Sequence, residues 1–510
     1  MDSTRLSRRD LVKLLGLAPL LLVNSRRQNR SGALLENRPP PNILVFLFDA
    51  WSARHMSLYG YPRQTTPHLE RLAQNAVVFH RHYAGGNFTC PGTTSLLTGT
   101  YPWTNRGFNL GGKLEDIFLE QNIFALLNSS YNTFAYTHNM LVQMLLHQFS
   151  DHIDDLSNIS KLTSISHGYA DRYLSNDFFS ASQGEELILR RAEIPPSSLF
   201  LSRIDRQARY QSQESLYNSY KDIYPVCVPG SGFNPRYLTF TLETAIDWTL
   251  AQCSEQPSPF FGYVHLLPPH DPYCTRQEFY GRFHDNWQAI EKPEHHFSNN
   301  KSSEFLNVNR QAYDEFILYI DAEFARLFNH LDNSGVLDNT YLILTSDHGE
   351  LFERGIWAHK TPTLYEGLIH IPLLVWGPGI QRRQDVFTLT SCVDILPTVM
   401  SLTGRRTPPW CQGRILPHLG GLDENERSVF AIEAKENSMN RPLRKATFAI
   451  IRGRYKLIHY RGYEQFHEID ELYDLVNDPE EMDDISAQEP THVIAMRIEL
   501  LQSLKKADIQ

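Results

Sequence analysis

Apolar and polar positions follow two different periods along most of this chain. Between residues 42 and 404, short apolar runs typical of buried strands alternate with longer helical patterns. This order predicts an α/β fold, with a mostly parallel (mixed) central sheet sandwiched by helices. The clearest helix is predicted over residues 309–331, where one apolar stripe is formed by Tyr313, Phe316, Ile317, Ile320, Phe324, Leu327 and Phe328.

The pattern changes after Thr407-Pro-Pro409. Residues 428–432, 447–451 and 455–459 have the composition of short antiparallel strands, and residues 491–505 that of a final helix. We therefore predict a main domain over residues 42–405 and a small C-terminal antiparallel-sheet subdomain over residues 406–510.

Two of the apolar runs end in side chains that bind metals. The run over residues 41–49 ends at Asp49, and the run over residues 341–349 carries Asp347 and His348. Ligands bind at the carboxyl ends of strands in open α/β sheets, and a buried carboxylate there is costly unless a cation or donors meet it. Either acid by itself is typical of a loop cap. Together they indicate two halves of one metal site.

Residues 87–102 lie between these runs and contain a candidate nucleophile. Pro91 suits the first turn of a helix and Gly99 suits its end, which places Thr89 and Cys90 at the helix N-terminus. Free N–H groups and the helix dipole attract an anion there. A hydroxyl or thiol in this position can act as a metal-activated nucleophile.

These segments resemble the sulfatase family of the alkaline phosphatase superfamily. The resemblance covers roughly two-thirds of the chain in the family's order, and it includes residues 59–62, 65–73, 96–102, 265–273, 337–350, 359–366, 371–378, 393–398, 412–414 and 471–474. It implies a catalytic domain over residues 42–405 that hydrolyses an anionic ester, and a C-terminal subdomain that closes one side of the cleft. Residues 141–235 match nothing in the family; they are either a cap that selects substrates or a surface excursion.

The nucleophile segment departs from the family. Sulfatases carry a cysteine or serine followed by proline two residues on and arginine four residues on, but here the aligned positions are Thr89, Pro91 and Thr93. Conversion to formylglycine is therefore not expected. A formylglycine hydrate releases sulfate by breaking its own C–O bond, whereas a Thr89 ester must be cleared by water attacking sulfur or phosphorus. This difference favours phosphoryl transfer without settling the matter.

The metal-binding segments depart from the family as well. Ala50 replaces a second carboxylate, and Asp347-His348 replaces the usual Asp-Asn pair. Fewer carboxylates and an added imidazole favour zinc or manganese, with calcium or magnesium as alternatives. We expect one divalent metal ion held by Asp49, Asp347, His348 and the Thr89 oxygen. His270 with Asp271 is the candidate for a second ion.

Several of the 21 histidines are candidates for the site. His265 lies inside an apolar strand and is expected to be a satisfied core residue. By resemblance, His270 protonates the leaving oxygen as a general acid, and His359 and Lys360 bind the non-bridging oxygens. His138, where the family has a lysine, is a weaker substrate-binding candidate. Surface polar roles for His270 and His359 are the alternative.

Composition and the first residues bear on location and partners. The formal charge of −10 argues against nucleic acid as a partner. Residues 1–25, with Ser7-Arg-Arg-Asp-Leu-Val-Lys13, resemble a twin-arginine export signal, and residues 26–41 have the composition of a linker. We therefore expect twin-arginine export to the periplasm or exterior, with possible anchoring by an uncleaved signal. One disulfide among the six cysteines is possible outside the cytoplasm, but the sequence does not identify it.

The function expected from these residues is metal-dependent hydrolysis of a sulfate or phosphate ester carried by a small molecule or glycan. Thr89 is the expected nucleophile and His270 the expected acid. Two alternatives stay open at this point. The first is a transferase that passes the phospho group to an alcohol, and the second is an inactive binder of sulfated or phosphorylated glycans.

Overall fold

The computed structural model describes residues 39–162, 218–225, 240–423, 426–439, 441–464 and 466–508. The export-signal prediction, most of the 26–41 linker and most of the unmatched 141–235 segment lie outside these residues. None of the described helices is both long and apolar enough to span a membrane.

The described residues form sixteen strands and ten α-helices. The strands are β1 (Asn42–Asp49), β2 (Val77–Phe79), β3 (His82–Tyr83), β4 (Asn132–Thr137), β5 (Asp155–Leu156), β6 (Phe260–Pro269), β7 (Thr340–Thr345), β8 (Phe352–Glu353), β9 (Ile356–Trp357), β10 (Leu373–Trp376), β11 (Gln384–Val386), β12 (Thr390–Ser391), β13 (Ser428–Glu433), β14 (Ala446–Arg452), β15 (Tyr455–Tyr463) and β16 (Phe466–Asp474). The helices are α1 (Pro67–Leu72), α2 (Thr89–Thr98), α3 (Pro102–Asn105), α4 (Ile123–Leu127), α5 (Met140–Gln148), α6 (Leu242–Glu255), α7 (Ser303–Asn333), α8 (Glu366–Ile369), α9 (Ile395–Leu402) and α10 (Pro490–Asp508).

Eight strands form the central sheet, in the order β11-β2-β10-β7-β1-β6-β4-β5. β1 pairs in parallel with both β6 and β7, β4 pairs in parallel with β5 and β6, and β10 runs antiparallel to β7 and β2. The predicted α/β class with a mostly parallel, mixed sheet is confirmed.

The core lies on both faces of this sheet. Alternate β1 side chains belong to different apolar clusters: Leu44, Phe46 and Phe48 pack on one face with α7, and Ile43, Val45 and Leu47 pack on the other. This two-sided burial explains why the strand has an almost continuous apolar sequence. The predicted helix over residues 309–331 lies within α7, which begins earlier, at Ser303, and ends two residues later, at Asn333.

The C-terminal residues form a separate antiparallel sheet in the order β13-β14-β15-β16. It contains the three predicted strands and a fourth, β16, that was not predicted; α10 is the predicted final helix. The 405/406 domain boundary stays a prediction.

A buried ion-pair cluster links this sheet to the main domain. Lys456 on β15 is fully buried, with Nζ 3.1 Å from Glu366 Oε1 at the start of α8 and 2.8 Å from Glu481 Oε1. Burying two carboxylates is tolerable only while a cation is paired with them, so the cluster makes the two parts mutually dependent.

Lys456→Ala is expected to destabilise the protein by about 3–5 kcal/mol, because it leaves two buried carboxylates without their cation. Thermal and urea unfolding of the full chain measure this loss. The matched control is Lys445→Ala, which breaks an exposed pair with Glu436 and should cost less than about 1 kcal/mol. Equal effects of the two substitutions would contradict the prediction.

Candidate active site

The carboxyl ends of β1 and β7 bring Asp49, Asp347 and His348 together. Their ligand atoms all lie within 4.8 Å of one another, and all three side chains are buried. His348 Nε2 is 3.3 Å from Asp49 Oδ1 and 3.6 Å from Asp347 Oδ2. The predicted meeting of the two distant segments is therefore seen in the structure.

His265 on β6 also faces this cluster. Its Nε2 atom is 3.6 Å from both Asp49 Oδ2 and Asp347 Oδ2, while its Nδ1 atom is 3.1 Å from the Tyr263 hydroxyl. The expectation that His265 is a satisfied core residue is wrong, because Nε2 has no hydrogen-bond partner among the described residues. An apolar strand places one face toward the core and its carboxyl end toward the site, and the sequence pattern does not distinguish the two.

The donor set fits a divalent cation. Asp49 Oδ1, Asp347 Oδ2, His265 Nε2 and His348 Nε2 are buried and lack hydrogen-bond partners among the described residues. His348 Nδ1 is 2.8 Å from the Gly349 carbonyl, which fixes the proton on Nδ1 and leaves the Nε2 lone pair for a metal. Oxygen and imidazole ligands of this kind suit a first-row transition metal.

The electrostatics of the cluster also call for positive charge. Burial lowers the pKa of His348, but the Asp347 and Asp49 charges outweigh it and raise that pKa to about 9. Burial alone would raise the pKa of Asp49, yet the neighbouring His265 and His348 imidazoles and the His270 charge hold it well below its usual range. The Asp49 carboxylate therefore stays ionised in a buried place where a cation is strongly stabilised.

Ala50 stands where the family has a second carboxylate, and it contacts the cluster only through its backbone. Its N–H donates to Asp347 Oδ1 at 3.2 Å, and its φ of 57° lies in the left-handed region. The Tyr313 hydroxyl donates to the Ala50 carbonyl at 2.6 Å and holds this turn in place. Position 50 thus orients Asp347 instead of offering a ligand.

Thr89 is the first residue of α2 and lies beside the cluster. Its side chain is 3% exposed. Gly92, one turn further on, packs so closely on the Asp347 backbone that a Cβ atom there would overlap the Asp347 carbonyl. Asn87 Nδ2 donates to the Thr361 and Thr363 carbonyls at 2.7 and 3.0 Å and fixes the chain before the helix. The predicted helix and its Gly99 end are confirmed.

Asn139 links Thr89 to Asp49, and the sequence reasoning missed it. Asn139 Nδ2 donates to Asp49 Oδ2 at 2.5 Å and to Thr89 Oγ1 at 3.2 Å. Its Oδ1 accepts the Leu141 N–H at the start of α5, so the amide orientation is fixed. Asn139 lies in His138-Asn-Met140, directly after β4. The resemblance pointed to His138 in this segment, because that position aligns with a lysine of the family.

The predicted substrate-site histidines His270 and His359 lie beside the metal-ligand candidate His348. The centre of the His359 ring is 4.5 Å from that of the His348 ring and 4.8 Å from that of the His270 ring. Burial lowers the pKa of His270, but the Asp271 and Asp49 charges outweigh it and leave the pKa raised. Burial and the neighbouring His348 charge hold the pKa of His359 well below its usual range. The raised pKa of His270 suits a proton donor, and the lowered pKa of His359 suits an imidazole that stays neutral.

A cavity of about 410 Å³ opens at this cluster and is lined by Thr89, His138, Asn139, His270, His359 and Lys360, together with residues of the C-terminal sheet. Lys360 is exposed at its edge. His138 is buried and stacks on Phe240, and neither of its ring nitrogens has a hydrogen-bond partner among the described residues. All of the predicted site residues therefore line the cavity or form the metal-binding group beside it.

Cys90 is a packed residue. Burial raises the pKa of its thiol to about 12, and its Sγ atom is 3.9 Å from the Leu110 carbonyl. A thiol in that state is a poor nucleophile at neutral pH. Of the other cysteines, Cys253, Cys392 and Cys411 are free and Cys274 is disulfide-bonded.

Comparison with known proteins settles the family. The sequence profile of the Sulfatase family matches residues 41–405. The chain belongs to the sulfatase family. A second profile, described as N-sulphoglucosamine sulphohydrolase, C-terminal, matches residues 353–509. The chain is thus an ester hydrolase of this family, with a group of residues able to bind a metal.

Individual relatives have low sequence identity to this chain, but their alignments cover most of it. Arylsulfatase K of Xenopus laevis is 22% identical over 92% of this chain and 83% of its own length. Choline-sulfatase of Rhizobium meliloti is 23% identical over 88% and 82%. The solved phosphonate monoester hydrolase of Agrobacterium radiobacter is 18% identical with a TM-score of 0.61, covering 92% of this chain and 96% of that one. This last likeness shows a shared fold.

Proposed function

We propose that this protein hydrolyses a sulfate or phosphate ester of a small molecule or glycan, with Thr89 as nucleophile and one divalent metal ion. The observation that carries the proposal is the position of Thr89 Oγ1: it lies at a helix N-terminus, is linked through Asn139 to Asp49, and opens into the same cavity as His270 and His359. Asp49, Asp347 and His348 would hold the ion, together with the Thr89 oxygen, and His265 is a further candidate ligand. Zinc and manganese suit this mixed donor set best. When bound, the ion supplies positive charge beside Thr89 Oγ1 and the ester oxygens.

The residues divide the reaction between them. The Thr89 hydroxyl gives its proton to solvent, and Oγ1 attacks sulfur or phosphorus in line with the leaving oxygen, which takes a proton from His270 as its bond to sulfur or phosphorus breaks. His359 and Lys360 bind non-bridging oxygens as charge builds on them. Water then attacks the Thr89 ester at sulfur or phosphorus and gives a proton to the now neutral His270, while the S–O or P–O bond to Thr89 breaks and the Thr89 oxygen takes a proton from solvent.

Two lines of support point to different esters. Arylsulfatase K and choline-sulfatase, as relatives, support a sulfate ester. A threonine ester has no C–O route for release, and this chemistry supports a phosphate ester. Because residues 1–25 resemble a twin-arginine export signal, we also propose that the protein acts after export to the periplasm or exterior.

The testing experiment compares turnover of an aryl sulfate, an aryl phosphate monoester and an aryl phosphodiester. The purified chain is stripped of metal and reloaded with zinc, manganese, calcium or magnesium. Turnover that returns with zinc or manganese supports the proposal and names the ester. Absence of turnover with every ester and ion, despite bound metal, overturns it. Transfer to an added alcohol without hydrolysis would favour the transferase.

Asn139→Ala is expected to lower kcat by about 10- to 100-fold and to change KM little, because the amide orients Thr89 Oγ1 without touching the leaving group. Steady-state kinetics on the preferred ester measure the effect. Asn132→Ala is the matched control, since the Asn132 side chain donates at the far end of β4 to the Pro257 carbonyl. Equal kcat values for the two variants would remove Asn139 from the mechanism.

A further inference from the structure

The proposed substrate group is an anion, and two positions that carry cations in the family lack them here. Thr93 stands where arginine is expected and His138 where lysine is expected. Threonine has no charge, and His138 is stacked on Phe240 in a buried place. Lys360, exposed at the cavity edge, is then the one permanently charged side chain assigned to the anion so far, and a second such charge would have to come from another part of the chain.

Lys435 brings such a charge from the C-terminal sheet. It follows β13, is half-buried, and lines the same cavity as Thr89. Its Nζ atom donates to the His359 carbonyl at 3.0 Å and lies 4.4 Å from the centre of the Phe88 ring. Because Phe88 directly precedes Thr89, the ammonium group is held between the two loops that present Thr89 and His359.

Two acids flank Lys435 in the sequence and in the cavity wall. Glu433, two residues before Lys435, accepts the Lys435 backbone N–H at 3.2 Å and the Tyr463 hydroxyl at 3.1 Å, and the Lys435 charge counteracts the rise in the pKa of Glu433 that burial causes. Glu436 accepts from Lys445 Nζ at 2.9 Å.

We propose that Lys435 binds the sulfate or phosphate group that faces Thr89, and that it replaces the cations which positions 93 and 138 do not supply. This inference rests on the proposed function, because it assigns a residue to the anion of the same site. The C-terminal sheet then contributes to ester binding in addition to walling the cavity.

The test measures binding of inorganic phosphate and inorganic sulfate by isothermal titration calorimetry at fixed ionic strength. The full chain, loaded with its preferred divalent ion, is compared with Lys435→Met, Lys435→Arg and Lys445→Met. Lys445→Met is the matched control, because Lys445 lines the same cavity but pairs with Glu436. Lys435→Met should weaken binding about tenfold or more, Lys435→Arg by less than about threefold, and Lys445→Met by less than about twofold.

Anion binding needs no turnover, so failures of the two proposals can be told apart. Weaker binding in Lys435→Met without ester hydrolysis by the unmodified chain supports Lys435 and overturns the hydrolase. Hydrolysis with wild-type anion affinity in Lys435→Met overturns the role of Lys435. If the unmodified chain binds neither anion, the role of Lys435 is also overturned. Thermal unfolding checks that each variant is folded, and Lys435→Gln, which also removes the charge, is measured in its place if Lys435→Met is not.

Discussion

If Thr89 is the nucleophile, Thr89→Ala is expected to lower kcat for ester hydrolysis by about a thousandfold or more. The substitution removes one buried hydroxyl at the start of α2 and leaves the metal-binding side chains in place. The expected loss is in turnover more than in substrate affinity, because the anion would still meet the helix N-terminus and the neighbouring cations. Turnover of the preferred aryl ester, together with metal content and thermal unfolding of each sample, measures the effect.

Two controls sharpen the Thr89 experiment. Thr89→Ser keeps a hydroxyl and is expected to retain measurable turnover. Cys90→Ser is expected to stay within about threefold of the unmodified chain, because the buried Cys90 thiol has a pKa of about 12 and takes no part in the reaction. Wild-type turnover in Thr89→Ala, or loss of turnover in Cys90→Ser, would transfer the nucleophile role away from Thr89.

Asp347→Asn is expected to remove both metal binding and activity. Asp347 Oδ1 accepts the Ala50 and His348 N–H groups, and Oδ2 faces His265 and His348, so this carboxylate joins three parts of the site. An amide of the same shape keeps the packing but loses the negative charge that holds a cation. We expect metal content after dialysis to fall well below one ion per chain and turnover to fall about a hundredfold or more.

The metal should also stabilise the unmodified chain against heat, since it binds only the folded site. That gain in thermal midpoint is expected to disappear in Asp347→Asn. Asp338→Asn is the matched control, because Asp338 precedes the same strand but is exposed. Full metal content and turnover in Asp347→Asn would show that the cluster is not the metal site.

The sequence predicted the sheet and the metal-binding triad because both depend on local signals. β1 and β7 are apolar runs that end in ligands, and Pro91 and Gly99 mark the ends of a helix. His265 was misjudged because a histidine inside a strand has the same local pattern whether it faces the core or the site. The β1–β6 pairing is irregular at this end of the strands, because the partner on β6 moves from Leu266 to Pro269 as β1 moves from Phe48 to Asp49.

Asn139 and Lys435 were missed for a different reason. Their roles depend on contacts with Asp49 and His359, at sequence separations of 90 and 76 residues. No local period reports such contacts. The family resemblance concerns positions where this chain carries no charge, whereas Lys435, the residue proposed to compensate for them, follows a strand of the separate C-terminal sheet.

The register of the central sheet has a consequence for how the protein folds. The hydrogen bond from the Ala50 N–H to Asp347 joins positions 297 residues apart, and those positions meet only after β1 has paired with β7. Closing so long a loop costs chain entropy before any contact compensates for it, so the ligands come together late. A metal ion is therefore expected to bind only after the sheet has formed, and to stabilise the native state without nucleating it. Refolding rates should be insensitive to metal, whereas unfolding rates should be slower in its presence.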